Sequence, residues 1–229
     1  MADAVERAYR TIRDGIMNGL YPQGAHITAQ DLAAASGLSR TPVREAMRRL
    51  QSEGLIVIYP NRGAFVASWN ERDIHKIYDL RVLLEGYAAE AAALEADEAA
   101  VAELTRLARE MADAVERQDA DVVDQVAQIN SDFHRLVIAA AANPRLDVAL
   151  ASIVEVPLVL RTFRRYSLEE MRRSAAQHLE LVAAIAARDG VWARSVMTSH
   201  ILSGRNALLR SFATEAASQA QAAPDRAAG

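Results

Sequence analysis

The first third of the chain alternates short helical patterns with clear breaks. Apolar residues return every three or four positions between residues 4 and 18, which predicts an amphipathic helix. Thr28 and Asp31 have the spacing of a capping box, a hydroxyl followed three residues later by an acid, and this predicts the start of a second helix. The second helix is expected to end near Gly37, since glycine is common just after a helix C-terminus.

A third helix and a hairpin complete the predicted front domain. The helix begins at Ser39 or Thr41, both good N-cap residues, and runs to about Glu53. Two short β-prone runs follow at residues 55–58 and 64–67, and the turn-rich connector between them predicts a β-hairpin. Two helices joined by a tight turn and followed by a hairpin are the elements of a winged helix-turn-helix.

Beyond Trp69 the pattern becomes long, alanine-rich and helical, so we place a domain boundary near residues 68–71. Short connections predict an antiparallel bundle, with a kink at Pro157 in its fourth helix. The six predicted helices are 71–94, 97–117, 119–142, 144–166, 168–188 and 190–213. The predicted fold class is mainly α, with a winged helix-turn-helix domain at 1–70, an all-helical domain at 71–213, and a disordered tail at 214–229.

Charge is distributed unevenly along the chain. The whole protein has a net charge of −4, but residues 1–70 carry eight arginines against six acidic residues, whereas the remainder carries eighteen basic against twenty-four acidic residues. A local surplus of cations is what binding to DNA phosphates requires, so the front domain is the candidate for that role. The chain has no cysteine, which excludes thiolate chemistry, and no signal peptide or long apolar run is evident, so we expect a cytoplasmic protein without a membrane partner.

The third helix has the residue types that read DNA. Arg40 and Arg44 are four residues apart and share one helix face, and arginine is the natural partner of guanine in the major groove. Ser39 and Thr41, near the helix start, are candidates for hydrogen bonds to phosphate. The plainer interpretation of this face, including Arg48 and Arg49, is a solvated surface.

The predicted wing has a candidate contact of its own. Arg62 next to Gly63 at the hairpin tip would suit the negative potential of a minor groove. The alternative is that Gly63 serves only a turn that needs positive φ.

These segments closely resemble the winged helix-turn-helix of GntR-family regulators. The likeness rests on Leu38-Ser-Arg-Thr-Pro-Val-Arg-Glu-Ala-Met-Arg-Arg-Leu50, on Glu53-Gly-Leu55 and on Asn61-Arg-Gly-Ala-Phe-Val66. It implies a homodimer on a pseudo-palindromic stretch of double-stranded operator DNA. It also implies that Arg40 and Arg44 read bases, that Ser39 and Thr41 assist, and that Arg62 and Gly63 act in the wing. Gln30 departs from the family, which usually has a DNA-contacting arginine there.

Three histidines on three predicted helices each lie among apolar residues at helical spacing. His134, His178 and His200 are therefore expected to point inward, and Asn130 shares the face of His134 while Asp132 does not. Converging imidazoles with an oxygen donor suit a divalent metal such as zinc or nickel. The alternative is three separately hydrogen-bonded core histidines.

Arg81 lies on the core-facing stripe of the first bundle helix, where a guanidinium needs an anionic partner. That partner is either Glu85, one turn further on, or a bound carboxylate.

The helical region resembles the FCD ligand-binding domain of the FadR subfamily. The matching residues are Arg81-x-x-Leu84-Glu85, Asn130-x-x-Phe133-His134, the run beginning at His178, and His200. The resemblance implies that Asn130, His134, His178 and His200 hold a metal and that Arg81 grips a small carboxylate effector. Asn130, where many relatives have aspartate, is expected to lower metal affinity. The six predicted helices suggest the VanR-like subgroup.

The sequence thus predicts a transcription regulator, a repressor released by a small organic acid at a metal site. One alternative is a direct metal sensor. Another is a metal-dependent enzyme, against which no carboxylate is evident beside the histidines in a general-base position.

Overall fold

The computed structural model describes residues 2–17, 19–60, 62–119, 121–151, 153 and 156–222. The chain divides into two compact units, and the division falls between Asn70 and Glu71.

The front unit contains three helices and a small sheet. Thr28 caps α2 by accepting a hydrogen bond from the Asp31 backbone N–H, and Gly37 ends that helix with a φ of 67°. Ser39 is the N-cap of α3, so of the two starts that the sequence allowed, Ser39 and Thr41, the structure has the first. The elements are α1 (Ala2–Met17), β1 (His26–Ile27), α2 (Ala29–Ser36), α3 (Arg40–Ser52), β2 (Ile56–Tyr59) and β3 (Gly63–Val66).

The sheet has three antiparallel strands rather than the two of the predicted hairpin. Strand β3 lies in the centre, with β2 pairing Ile56 to Val66 on one side and β1 pairing His26 to Phe65 on the other. A two-residue strand has no detectable period, so β1 left no signal in the sequence. Strand β3 supplies the backbone hydrogen bonds that hold β1 in the sheet. One apolar core joins the helices to the sheet, and its fully buried members include Ala8, Ile12, Val43, Leu50 and Ile56.

The second unit is an all-helical bundle. Helix α4 packs against α10 and α6, and α5 packs against α6 and α9. Alanines at 88, 89, 92 and 93 in α4 are completely buried, and their small side chains let the neighbouring helices approach closely. The helices are α4 (Glu71–Glu95), α5 (Glu98–Arg117), α6 (Val122–Ala140), α7 (Pro144–Ala151), α8 (Val156–Arg165), α9 (Leu168–Ala186) and α10 (Gly190–Ala222).

Three expectations about this unit are corrected. The segment predicted as one kinked helix, 144–166, forms α7 and α8, with Pro157 as the second residue of α8, because proline is tolerated in the first turn of a helix and disrupts its interior. The described residues therefore contain seven bundle helices, so the count of six that suggested the VanR-like subgroup is not reproduced. Helix α10 continues to Ala222, into the segment predicted to be disordered from residue 214, and residues 223–229 lie outside the described part.

Candidate DNA-binding face and candidate metal centre

Helix α3 has one buried face and one exposed face. Val43, Ala46 and Leu50 have no exposed surface, and Met47 beside them is also buried. The side chains of the predicted DNA readers are all exposed: Ser39, Arg40, Thr41 and Arg44. The apolar face fixes the helix on its core, so the arginine face is presented to solvent as a rigid unit.

The four arginines of α3 differ in how they are paired. Arg48 pairs with Glu45 one turn away. Arg49 lies 3.6 Å from the centre of the Tyr9 ring and donates to Glu6 at 2.9 Å. Within the described part of the chain, Arg40 and Arg44 have no ion-pair partner. Arg40 and Arg44 therefore keep their donors for an external acceptor, whereas Arg49 ties α3 to α1.

The wing residues lie at the turn between β2 and β3. Arg62 is exposed, with its guanidinium 5.7 Å from the centre of the Tyr59 ring. Gly63 has a φ of 91°, and an added Cβ would lie 2.5 Å from Nε2 of His26 on β1. The fold alone thus requires glycine at this position. Gln30, the departure from the family pattern, is exposed on α2.

In the helical unit the three predicted histidines come together. One nitrogen from each of His134 (α6), His178 (α9) and His200 (α10) lies within 4.8 Å of the other two. His134 and His178 are buried at 7% and 2% exposure, and His200 is partly buried. The bundle therefore brings together, from three helices, three nitrogen atoms of the kind that bind metals.

Hydrogen bonds on the far side of each ring set its tautomer. Nδ1 of His134 lies 2.5 Å from Glu85 Oε2, and Nδ1 of His178 lies 2.7 Å from the Ser174 carbonyl oxygen. Nδ1 of His200 lies 3.3 Å from the Gln177 side-chain oxygen. Each of these oxygens is an acceptor, so each Nδ1 carries the proton and donates it. The lone pairs of all three Nε2 atoms are left for the point of convergence.

With these tautomers, the inner side of the cluster carries no ring protons. Nε2 of His134 and Nε2 of His200 lie 3.2 Å apart, so two lone pairs face each other. Nε2 of His178 and Oδ1 of Asn130 are buried and have no hydrogen-bond partner among the described residues. Burial lowers the pKa of His178 to about 3 and that of His200 well below 6.5, and neighbouring histidines add to both shifts. Both rings are therefore neutral at pH 7, the form in which imidazole binds metal.

Glu85 lies directly behind this cluster. Its two oxygens accept from Arg81 Nε at 2.7 Å and from His134 Nδ1, and only 1% of the residue is exposed. Burial raises the pKa of Glu85, but the charge of Arg81 and the contact with His134 outweigh burial and lower it to about 2. The carboxylate is thus fixed as an anion that orients His134 and Arg81.

The sequence predicted no carboxylate beside the histidines in a general-base position, and Glu85, although it contacts His134, does not take such a position. Glu85 faces Nδ1 of His134, on the side of the ring away from the point of convergence, and its low pKa makes it a poor base. Of the two partners considered for Arg81, the structure pairs it with Glu85. Asp132 bonds to Gln128 and Arg135, in agreement with its expected orientation away from the histidines.

A small cavity lies beside the cluster. It has a volume of about 20 Å³, enough for a single water, and its lining includes Arg81, Asn130 and His200. The bond to Glu85 uses Nε–H of Arg81, and the terminal NH₂ groups have no hydrogen-bond partner in the described ranges. The cavity therefore adjoins a buried cation with free donors.

Sequence reasoning missed three supporting residues. Glu85 was considered only as a partner of Arg81, and its hydrogen bond to His134 spans two helices. Gln177 and the backbone of Ser174, which orient His200 and His178, left no signal, because neither residue type by itself indicates such a role.

The helix-turn-helix with its wing and exposed arginines defines a DNA-binding regulator. Residues 4–66 match the family described as "Bacterial regulatory proteins, gntR family", and residues 76–203 match the FCD domain. The chain belongs to the GntR family of transcription regulators and carries an FCD domain, as the resemblance implied.

Individual relatives agree with this assignment. The chain is 37% identical over 146 residues to an HTH-type transcriptional regulator from the TAR-I ttuE-ttuC' intergenic region of Agrobacterium vitis, an alignment that covers 62% of this chain and 83% of the relative. It is 27% identical to the transcriptional repressor RspR of Escherichia coli, over 86% of this chain and 85% of the relative.

Solved structures share the fold. Escherichia coli McbR/YncC superposes with a TM-score of 0.68 at 22% identity, covering 93% of this chain and all of that one. Listeria monocytogenes Lar gives the same TM-score at 19% identity, over 90% and 96% of the two chains. No helix in the described ranges combines the length and apolarity needed to cross a bilayer.

Proposed function

We propose that this chain is a homodimeric repressor whose hold on operator DNA is released when a small organic acid binds beside a metal in the helical unit. The observation that carries the proposal is the cluster of three histidines whose Nε2 lone pairs converge without protons.

The DNA-reading part of the proposal assigns base contacts to Arg40 and Arg44 and phosphate contacts to Ser39 and Thr41. Two observations support this assignment. All four side chains are exposed at the start of α3, and within the described residues neither arginine has an internal ion-pair partner. Arg62 and Gly63 would approach the minor groove at the wing.

The metal part assigns Asn130, His134, His178 and His200 as ligands of a divalent ion, zinc or nickel. Two nitrogens on one tetrahedral zinc lie about 3.3 Å apart, and the His134 and His200 nitrogens are 3.2 Å apart. A cation would also satisfy the orphaned atoms of His178 and Asn130. The residues therefore fit a metal, whose charge would help to hold an anion next to it.

The effector part assigns Arg81 as the clamp for a carboxylate. Arg81 is buried, lines the inner cavity and keeps its terminal donors free among the described residues. Glu85 links Arg81 on α4 to His134 on α6, so a change at the clamp is transmitted to a second helix. The acid acts only through a difference in its affinity for the two states of the repressor. The relatives include the gluconate operon transcriptional repressor of Bacillus subtilis, in keeping with an organic acid as signal.

Dimerisation is supported by an exposed apolar stripe on α4. Leu80, Leu83, Tyr87 and Leu94 share one face of this helix and are 46–63% exposed. Large apolar and aromatic residues in one row are typical of protein interfaces. A pseudo-palindromic operator has two similar half-sites, so the expected partner is a second copy of the chain.

A second candidate function is a direct metal sensor, which the same histidine cluster favours. In that case the ion itself would be the signal, and the metal would be readily exchanged rather than resident.

One experiment separates these candidates. Affinity for an operator fragment selected from the protein's own genome is measured by fluorescence anisotropy at fixed salt, with EDTA, with zinc, with a panel of small carboxylic acids, and with zinc and acids together. We expect at least a tenfold loss of affinity only when zinc and one acid are both present. The same loss with zinc alone would favour the metal sensor, and no change in any arm would refute both.

A further inference from the structure

Helix α3 carries one arginine that points away from the proposed base readers. Arg49 is five residues beyond Arg44, and a turn of about 100° per residue places its side chain about 140° further around the helix. There its guanidinium lies 3.6 Å from the centre of the Tyr9 ring on α1. Its Nε donates to Glu53 at 3.1 Å, and its Nη1 donates to Glu6 at 2.9 Å. Arg49 is thus bonded both to α1 and to the end of α3.

Tyr9 closes this group into a ring of contacts. Its hydroxyl donates to Oε2 of Glu53 at 2.8 Å, while Oε1 of the same carboxylate accepts from Arg49. Tyr9 is 8% exposed, and burial together with the Glu53 carboxylate raises its pKa to about 12, so the hydroxyl keeps its proton at pH 7. Glu53 is the C-cap residue of α3. The last turn of α3 is therefore tied to α1 through both Tyr9 and Arg49.

Directional contacts of this kind fix the rotation of a helix about its own axis. The apolar residues under α3 hold it on the core, but apolar attraction has no direction, whereas hydrogen bonds weaken steeply when they are misaligned. A rotation of about 20° moves an atom that is about 5 Å from the helix axis by about 2 Å. Such a shift at Arg44 would break hydrogen bonds to a base, which need donor–acceptor distances of about 2.9 Å. Base reading by α3 therefore requires a fixed rotation.

We propose that Arg49 and Tyr9 are positioning residues for base recognition, which set the rotation of α3 without contacting DNA. Glu6 and Glu53 beside Arg49 would repel a phosphate, so this arginine is poorly suited to a contact with the DNA backbone. The inference rests on the proposed base-reading role of Arg44 and adds the contacts that hold Arg44 in its reading position.

The test uses the full-length protein and compares an operator fragment selected from its own genome with a random duplex of equal length. Binding is measured by fluorescence anisotropy at several salt concentrations. Arg49→Met should lower affinity for the operator about tenfold, the loss of one base contact, and leave affinity for the random duplex within about twofold. The slope of log affinity against log salt on the random duplex should stay unchanged, because no phosphate contact is lost.

Tyr9→Phe is the milder variant, since it keeps the ring in the core and removes one hydrogen bond. It should show the same pattern with a loss of about threefold on the operator. Far-ultraviolet circular dichroism checks the fold of each variant, and Tyr9→Phe decides the test if Arg49→Met does not fold.

Arg10→Met is the matched control. It removes the same charge and takes one partner from Glu6, but among the described residues Arg10 pairs only with Glu6, on its own helix. The ratio of operator affinity to random-duplex affinity should therefore stay as in the unmodified protein. Equal losses on both duplexes, a smaller salt slope, or Arg10→Met behaving like Arg49→Met overturns the inference. An unchanged ratio in both Arg49→Met and Tyr9→Phe does the same.

Arg44→Ala separates this inference from the proposed function. If Arg44→Ala leaves the affinity ratio unchanged, base reading by Arg44 is refuted. If it lowers the ratio while Arg49→Met does not, only the positioning role is refuted. Positioning that acts through Arg44 also makes the two substitutions less than additive. Full additivity in the double variant would contradict it.

Discussion

Replacing Glu85 with glutamine tests whether one buried carboxylate holds the helical unit and its candidate metal centre together. Glu85 is 1% exposed and Arg81 is 7% exposed, and the pair is joined by a hydrogen bond of 2.7 Å. Glutamine keeps the shape of the side chain but removes its charge. Arg81 would then be a buried cation without a counterion.

The cost of breaking a buried ion pair gives the size of the effect. Removing one partner of such a pair costs about 3–5 kcal/mol. Against the effect of burial, the charge of Arg81 lowers the pKa of Glu85 from 4.5 to about 2, which agrees with this in direction, because the ionised carboxylate is favoured in the folded protein. We therefore expect Glu85→Gln to lower the free energy of unfolding by about 3 kcal/mol at pH 7.

The assay is urea unfolding of the full-length protein without metal or acid, followed by far-ultraviolet circular dichroism. Glu90→Gln is the matched control, because Glu90 is on the same helix but pairs with Arg194 at the surface, at 2.8 Å. Such exposed pairs contribute about 0–1 kcal/mol. If the two variants unfold within about 0.5 kcal/mol of each other, the argument that Glu85 is a buried counterion is wrong.

The same variant has a second readout in metal binding. Glu85 fixes the tautomer of His134 through a hydrogen bond of 2.5 Å. Loss of such a supporting carboxylate lowers metal affinity by about 10–100-fold. Zinc titration in competition with a chelator measures this, and an unchanged affinity would show that His134 does not depend on Glu85 for its orientation.

Four further predictions follow from single contacts. Arg44→Ala should cost about 1–3 kcal/mol at the operator and relax base preference, with Arg48→Ala as the control of smaller effect; equal losses on random DNA would reassign Arg44 to phosphate contact. His178→Ala should abolish the bound equivalent of zinc measured by elemental analysis, and full retention would exclude His178 as a ligand. Leu83→Glu should shift sedimentation toward the monomer, and an intact dimer would place the interface elsewhere. Gly63→Ala should lower the melting temperature of the front unit, since its φ of 91° and the 2.5 Å approach to His26 exclude a Cβ; no change would mean that the wing turn relaxes.

Apart from β1, the elements of the front unit could be predicted because their signals are local. The cap at Thr28, the turn at Gly37 and the N-cap at Ser39 each depend on residues within one helical turn, and the structure confirms them. The helix boundaries of the bundle were harder to predict from the sequence. The period within 144–166 indicated a helix, but it could not show that Pro157 starts a new one, since proline at a helix start and proline at a kink have the same local pattern.

What the sequence determined by itself was which residues face inward and which helices carry arginine, histidine and acidic groups, because helical period fixes the face of each side chain. It therefore predicted that three histidines point into the bundle. Only the tertiary structure decided that they meet within 4.8 Å and that Glu85 lies behind one of them. It also decided that Gln177 and the Ser174 carbonyl accept hydrogen bonds from the Nδ1–H groups of His200 and His178. These contacts join helices far apart in the chain, and the packing that brings them together depends on the shape of every side chain between them.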